Sequence, residues 1–196
     1  MEILFSDKNI LVCIKPVGLD SEQEVPNELK KALPGEIYPI HRLDKNVGGV
    51  MVYARTKKAA AEFSQMVQNG KLVKEYVAQV HGQLPDGGVW TDLLFKDSRK
   101  NKVFVVDRPR KGVKEAKLEF RKLSDSVALI KLHTGRSHQI RVQFSSRGFP
   151  LVGDHKYGSR SDIKEPMLFS CRLTFPYDGE MKTFSARPKW LLADFD

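Results

Sequence analysis

The sequence predicts an α+β fold with a mixed, largely antiparallel sheet and a few flanking helices. Three observations carry that expectation. Short segments with the two-residue alternation of strands recur along most of the chain, and only two or three segments show helical spacing. Strands and helices also do not alternate in the regular β-α-β order of a parallel sheet.

The elements follow in order. Residues 2–5 and 10–14 flank the turn Ser6-Asp7-Lys8-Asn9 and read as a hairpin. Lys15-Pro16-Val17-Gly18 stops the second strand, because proline cannot donate to a ladder and glycine admits unusual backbone angles. Residues 19–36 are polar, with a short helical piece near Pro26 to Ala32, and a strand covers 50–54. Thr56 caps a helix running to about Gln68, with Ala59, Ala60, Phe63, Met66 and Val67 at helical spacing and Asn69-Gly70 as its stop. From Lys74 to Val80 the chain alternates, so Tyr76, Ala78 and Val80 share one strand face. Residues 103–106, 116–123 and 127–132 are further strands, the last two a hairpin over Ser124-Asp125-Ser126. Ser137 opens a second helix, with Ile140 and Phe144 on one face and Gly148 as its end, and a strand pair covers 168–175 and 182–186. No repeat or linker divides the chain.

Composition narrows the function classes. A chain of 196 residues with 41% hydrophobic residues is long enough and apolar enough for a substantial core, which excludes disorder. Its net charge of +9 points to a polyanionic partner, nucleic acid before a membrane surface. No apolar run approaches the ~20 residues of a spanning helix, and the N-terminus has neither the basic nor the long apolar region of a signal peptide. Cys13 and Cys171 read as reduced thiols of a cytoplasmic protein, and no Cys/His spacing of a zinc site is present, so no metal or other cofactor is expected.

Three segments concentrate reactive side chains. His41-Arg42-Leu43-Asp44 precedes the flexible pair Gly48-Gly49 and the apolar run Val50–Ala54. A loop-to-strand carboxylate beside a cation suits a reactive Asp, and equally a surface Asp paired with its neighbouring Arg. The second runs from Leu132 to Arg141. Arg136, His138 and Arg141 gather there around a helix start that favours phosphate or carboxylate, or else form a solvated amphipathic helix. Arg136 lies just before the helix, whereas His138 and Arg141, three apart, share a face within it. The third, Gly148 to Gly158, reads as a tightly turned loop whose Asp154, His155 and Tyr157 are structural ties.

Together these segments resemble the RluA family of RNA pseudouridine synthases over nearly the whole chain. Lys15-Pro16-Val17-Gly18 looks like the end of the family's opening strand pair, and His41-Arg42-Leu43-Asp44 matches its hallmark. Lys74-Glu75-Tyr76-Val77-Ala78 looks like the strand whose Tyr lines the uridine pocket. Thr134-Gly135-Arg136 with His138-Gln139-Ile140-Arg141, and Gly153-Asp154 with Tyr157-Gly158, match two later segments in the right order. Two departures stand out. Val47-Gly48-Gly49 replaces the usual Thr-Ser-Gly, removing two hydroxyls, and residues 114–120 keep only part of the family pattern.

The resemblance implies a single pseudouridine-synthase-like catalytic domain over 1–196, without a preceding S4 RNA-binding domain. It implies conversion of specific uridines in tRNA or rRNA, with Asp44 as nucleophile, Arg141 as its ionic partner and Tyr76 as the aromatic wall for an extruded base. Ile140 is a second wall candidate, and Arg42 fills the gap left by the flipped nucleotide or contacts a phosphate. His41, Arg136 and His138 join it as RNA-binding candidates. The basic stretch from Lys96 to Lys117, with Arg108, Arg110 and Lys111 at its centre, is a phosphate-contact surface. The expected partner is RNA, not a membrane, and the expected state is a monomer. Two rivals remain at this point: an RNA-binding or RNA-folding relative without activity, and an RNA hydrolase using His41 or His138 with Asp44.

Overall fold

The computed structural model describes residues 1–192, 194 and 195. It forms two compact units, Met1–Lys74 with Phe169–Lys189, and Glu75–Leu168 with Trp190–Asp196.

In the first unit, Asp7 makes the opening turn. Its N–H donates to Ile10 O (3.0 Å), and its Oδ1 accepts from the N–H groups of Asn9 and Ile10 at 2.7 and 2.8 Å. This sets β1 (Glu2–Ser6) antiparallel to β2 (Ile10–Lys15). The next helix, α1 (Glu24–Ala32), starts two residues earlier than its sequence suggests, because Asp20 Oδ1 accepts from the N–H groups of Glu22 and Gln23, both at 2.9 Å. The short β3 (Tyr38–Pro39) and β4 (Gly48–Ala54) follow, and β4 pairs antiparallel with both β2 and β3. Thr56 caps α2 (Lys57–Gln68) as expected, its Oγ1 accepting from Ala59 N–H at 3.1 Å. Ala59 and Phe63 then bury against Ile10, Val12, Val50, Val52 and Phe175.

Gly48-Gly49 is not the flexible pair that its composition implies. Both residues are buried within β4, where Gly48 and Gly49 lie parallel to Phe169 and Ser170 of β10 (Leu168–Tyr177). Gly49 has φ +132°, and a β-carbon there would collide with the Ser170 backbone. Close approach of two strands, not mobility, is what requires glycine here. β10 continues antiparallel into β11 (Glu180–Ser185).

The second unit has the strand order β5-β9-β8-β6-β7: β5 (Val73–Gln79), β6 (Gly87–Asp97), β7 (Lys102–Val106), β8 (Val113–Ser124) and β9 (Val127–Leu132). β6, eleven residues long, is absent from the sequence expectation. Gly87-Gly88 reads as a turn, and Leu93-Leu94-Phe95 is apolar on both faces, so the polar–apolar alternation is erased where it matters. The helix α3 (Gln139–Ser145) also starts later than expected. Ser137 does not cap it. His138 takes the flanking position in the left-handed region at φ +50°, and the Gln139 side chain folds back to accept from Thr134 Oγ1 (2.7 Å) and Arg136 N–H (3.0 Å). The α+β class and the mixed, largely antiparallel pairing are as the sequence predicts, β4 with β10 being a parallel pair. Among the described residues, no helix is long and apolar enough to cross a membrane.

Gly49→Ala is expected to cost about 2–4 kcal/mol, since it adds both backbone strain and a clash with a neighbouring strand. Urea unfolding measures this; a wild-type midpoint would show that β4 and β10 do not need the close approach.

Candidate active site

Asp44 sits half-buried on the loop between β3 and β4, and the residues on both sides of it are pinned. On one side, Ser21 Oγ donates to Leu43 O (2.9 Å) and accepts from Leu43 N–H (3.1 Å), while the Tyr53 hydroxyl holds Ser21 by donating to its carbonyl at 2.9 Å. On the other, Lys45 O accepts from Gly18 N–H at 2.8 Å. Asp44 O accepts from Val47 N–H at 2.9 Å and closes the turn that follows it. Val47 is buried and stands in that turn as a packing residue.

Lys15 completes this frame, and sequence reasoning missed its role by treating it only as the end of a strand. It is fully buried, and its Nζ donates to Pro16 O, Leu19 O and Lys45 O at 2.9, 2.8 and 3.3 Å. Three carbonyls satisfy the three protons of the ammonium group, so a buried cation ties the strand end, the turn after it and the residue following Asp44. Burial lowers the Lys15 pKa to about 8, and the charges of Asp20, Asp44 and Glu24 offset part of that shift. The signal in the sequence was a lysine ending an apolar strand just before Pro and Gly. Its meaning needed the loop carbonyls that only the fold supplies.

The other two hallmark residues behave differently. Arg42 is exposed and lies 3.4 Å from Glu22 Oε2. His41 Nε2 accepts from Val52 N–H at 3.2 Å, so its proton resides on Nδ1, which is buried and has no hydrogen-bond partner among the described residues. Burial, with help from the Lys74 charge, lowers the His41 pKa to about 3. His41 is therefore a neutral ring fastened to β4, not a phosphate-binding cation.

In the second unit, Tyr76 is 5% exposed on β5, and Ile140 is buried in α3. Arg141, also buried, makes a two-pronged contact with Asp154: Nε donates to Oδ2 at 2.7 Å and an Nη donates to Oδ1 at 2.8 Å. Its guanidinium also lies 5.2 Å from the Tyr157 ring centre. The Tyr157 hydroxyl accepts from Val103 N–H at 2.8 Å and shares a hydrogen bond with His138 Nδ1, also 2.8 Å away. His138 and Arg141 both meet Tyr157, but His138 lies just outside α3 and does not share a helix face with Arg141 as the spacing suggested. Asp154 and Tyr157 are structural ties, as the sequence suggested. Arg136 donates from Nε to Glu115 O at 2.9 Å, while Arg108, Arg110 and Lys111 are exposed on the turn between β7 and β8.

This architecture is that of a pseudouridine synthase domain. It superposes with a TM-score of 0.83 on the structure titled Human RNA Pseudouridylate Synthase Domain Containing 1, covering 97% of this chain and 84% of that one; at 24% identity the likeness is one of fold. The chain belongs to the RNA pseudouridylate synthase family, whose sequence profile matches residues 9–146. Similar curated proteins include the ribosomal large subunit pseudouridine synthase D of Pseudomonas aeruginosa, 32% identical over 83% of this chain and 55% of that one. The mitochondrial tRNA pseudouridine(32) synthase of Saccharomyces cerevisiae is 31% identical over 81% of this chain and 37% of that one. The chain therefore spans about half, or less, of the length of these relatives. The family is the one that the five sequence segments implied.

Two outcomes test the frame around Asp44. Lys15→Met keeps the length of the side chain but removes the charge and the three donors, and should slow the single-turnover uridine conversion that we propose for this chain roughly 10- to 100-fold while the protein still folds. The wild-type rate should fall as the pH passes about 8, where Lys15 loses its proton, and the variant should lack that alkaline limb. An unchanged rate and profile would reduce Lys15 to a core residue.

His41 gives the acid side. Its folded pKa lies below its unfolded value of 6.5, so between 6.5 and about 3 the unfolded chain holds a proton that the folded chain does not. Stability falls as the pH drops through that window, and His41→Gln should flatten the fall. Equal slopes for the two proteins in pH-dependent unfolding would contradict the burial of this ring.

Proposed function

We propose that the chain is an RNA pseudouridine synthase acting as one catalytic domain over 1–196, with Asp44 as nucleophile. The observation that carries this is the loop itself: the carboxylate is half-buried, the residues on both sides are pinned, and a buried ammonium group lies within the same frame. A positioned carboxylate suits a reaction whose hard step is cleavage at a sugar carbon.

The chemistry is an isomerisation. The N1–C1′ bond of uridine breaks, the base turns, C5 bonds to C1′, and the proton displaced from C5 is balanced by one gained at N1. Asp44 attacks C1′ as the N1–C1′ bond breaks, and the ester bond so formed is broken in turn when C5 bonds to C1′, which returns the free carboxylate. The nucleotide must leave its stack for this, and Tyr76 supplies the aromatic wall that receives it. The resemblance also assigns Arg141 to the reaction. Arg42, exposed at the loop beside Glu22, occupies the space left by the flipped base or meets a phosphate. The exposed Arg108, Arg110 and Lys111 hold the RNA backbone.

The substrate is tRNA or rRNA, in line with the names of the similar proteins. A monomer in the cytoplasm fits this reading. Burial raises the Cys13 thiol pKa to about 12, which makes it an inert core group rather than a disulfide former. The hydrolase alternative is disfavoured by His41, because its Nε2 lone pair is already used by β4 and the ring does not take a proton near neutrality.

Asp44→Asn is nearly isosteric and should leave folding and RNA binding intact while abolishing pseudouridine formation. The purified variant would be incubated with tRNA and rRNA from cells lacking the gene, and pseudouridine would be mapped at single-nucleotide resolution. Wild-type yield from Asp44→Asn overturns the assignment. Strand cleavage by the wild type would support the hydrolase, and binding without either product the RNA-folding relative.

A further inference from the structure

The β6–β7–β8 sheet of the second unit has two unlike faces. Leu94, Val103 and Ala116 point into a core with Val142 and Tyr157. Alternation therefore places Phe95 and Phe104 on the opposite face, where the register pairs them directly, with Val113 on the other side of Phe95. Phe104 keeps 37% of its surface exposed.

Both rings are attended by cations. Lys102 Nζ lies 5.8 Å from the centre of Phe104, and the Arg110 guanidinium lies 4.6 Å over Phe95. Gly112 turns at φ +86°, a conformation that favours glycine, and lies against the Phe95 ring. From residue 95 to 114 the chain carries eight Lys or Arg against two Asp. Such an excess selects a polyanion, and an exposed ring among cations selects a polyanion that can offer flat, unstacked rings. Duplex RNA shows its phosphates and 2′-hydroxyls but keeps its base faces covered, whereas a loop or single strand presents them.

We propose that Phe104, flanked by Lys102 and the Arg110–Phe95 stack, is a stacking subsite for an unpaired base of the RNA, with the neighbouring phosphates taken by Arg108, Arg110 and Lys111. The inference rests on the reading of the chain as a protein that acts on RNA. It adds a contact that selects unpaired structure in the RNA.

The test uses the whole protein and two single-stranded RNA probes of equal charge, a 12-nucleotide oligouridylate and the same strand with abasic ribose at its internal positions. Binding is followed by fluorescence anisotropy over a range of salt. Wild-type protein should prefer the strand with bases, and Phe104→Ala should reduce that preference roughly tenfold while leaving the abasic-strand affinity and the salt slope unchanged. Phe104→Trp should restore it, which separates stacking from loss of fold. A Phe104→Ala protein with the wild-type preference overturns the subsite, as does an effect confined to self-association in sedimentation. Pseudouridine formation is assayed separately on the same preparations. Loss of the preference in Phe104→Ala supports the subsite even where no pseudouridine appears, whereas normal product with an unaltered preference sinks the subsite alone.

Discussion

The buried ammonium of Lys15 is the constraint around which the first unit is arranged. A cation taken out of water must be surrounded by oxygen atoms, and this one is surrounded by the carbonyls of Pro16, Leu19 and Lys45. Those carbonyls belong to segments thirty residues apart in the chain. Satisfying the charge therefore fixes the backbone on the C-terminal side of Asp44, while the Ser21 hydroxyl fixes it on the N-terminal side. A loop built this way can present a carboxylate in one orientation without the two hydroxyls that relatives usually carry after the aspartate. Val47 is buried in the turn, and Gly49 is closely packed against Ser170 within β4.

The second unit solves a comparable problem with an ion pair. Arg141 and Asp154 are both almost wholly buried, and each would be strongly disfavoured there without the other. The pair is held in turn by its surroundings. Tyr157 lies under the guanidinium and is fixed through its hydroxyl by the backbone of Val103. Gly153 turns at φ +82°, where a side chain would strike the carbonyl of Glu165, and its N–H is taken by Ser159 and Ser161. The seven-residue α3 has little stability of its own, so these tertiary contacts, more than helix propensity, hold Arg141 in place.

Charge is distributed by the same logic. Lys15 and Arg141 are enclosed and fully engaged, while Arg42, Arg108, Arg110 and Lys111 are exposed. The first group orders the protein, and the second is available to a polyanion. A net charge of +9 says only that the two groups together outnumber the acids.

Much of this was legible in the chain. The α+β class, the Asp7 hairpin, the Thr56 cap and the order of the five family segments depend on local patterns, namely alternation, cap chemistry and short spacings, which are present in the linear sequence. Other features were decided only by tertiary structure. β6 is hidden because the apolar run Leu93-Leu94-Phe95 and the exposed Val89 break the polar–apolar alternation in sequence, although the folded strand alternates in exposure. Gly48-Gly49 reads as mobile until Ser170, 121 residues beyond Gly49, is laid against it. Ser137 looks like the cap of α3, but the Gln139 side chain competes for the same backbone with the help of Thr134. Lys15 looks like a strand end until Lys45 O closes its cage. In each case the deciding partner is remote in sequence, so the information lies in the pairing and not in either segment alone.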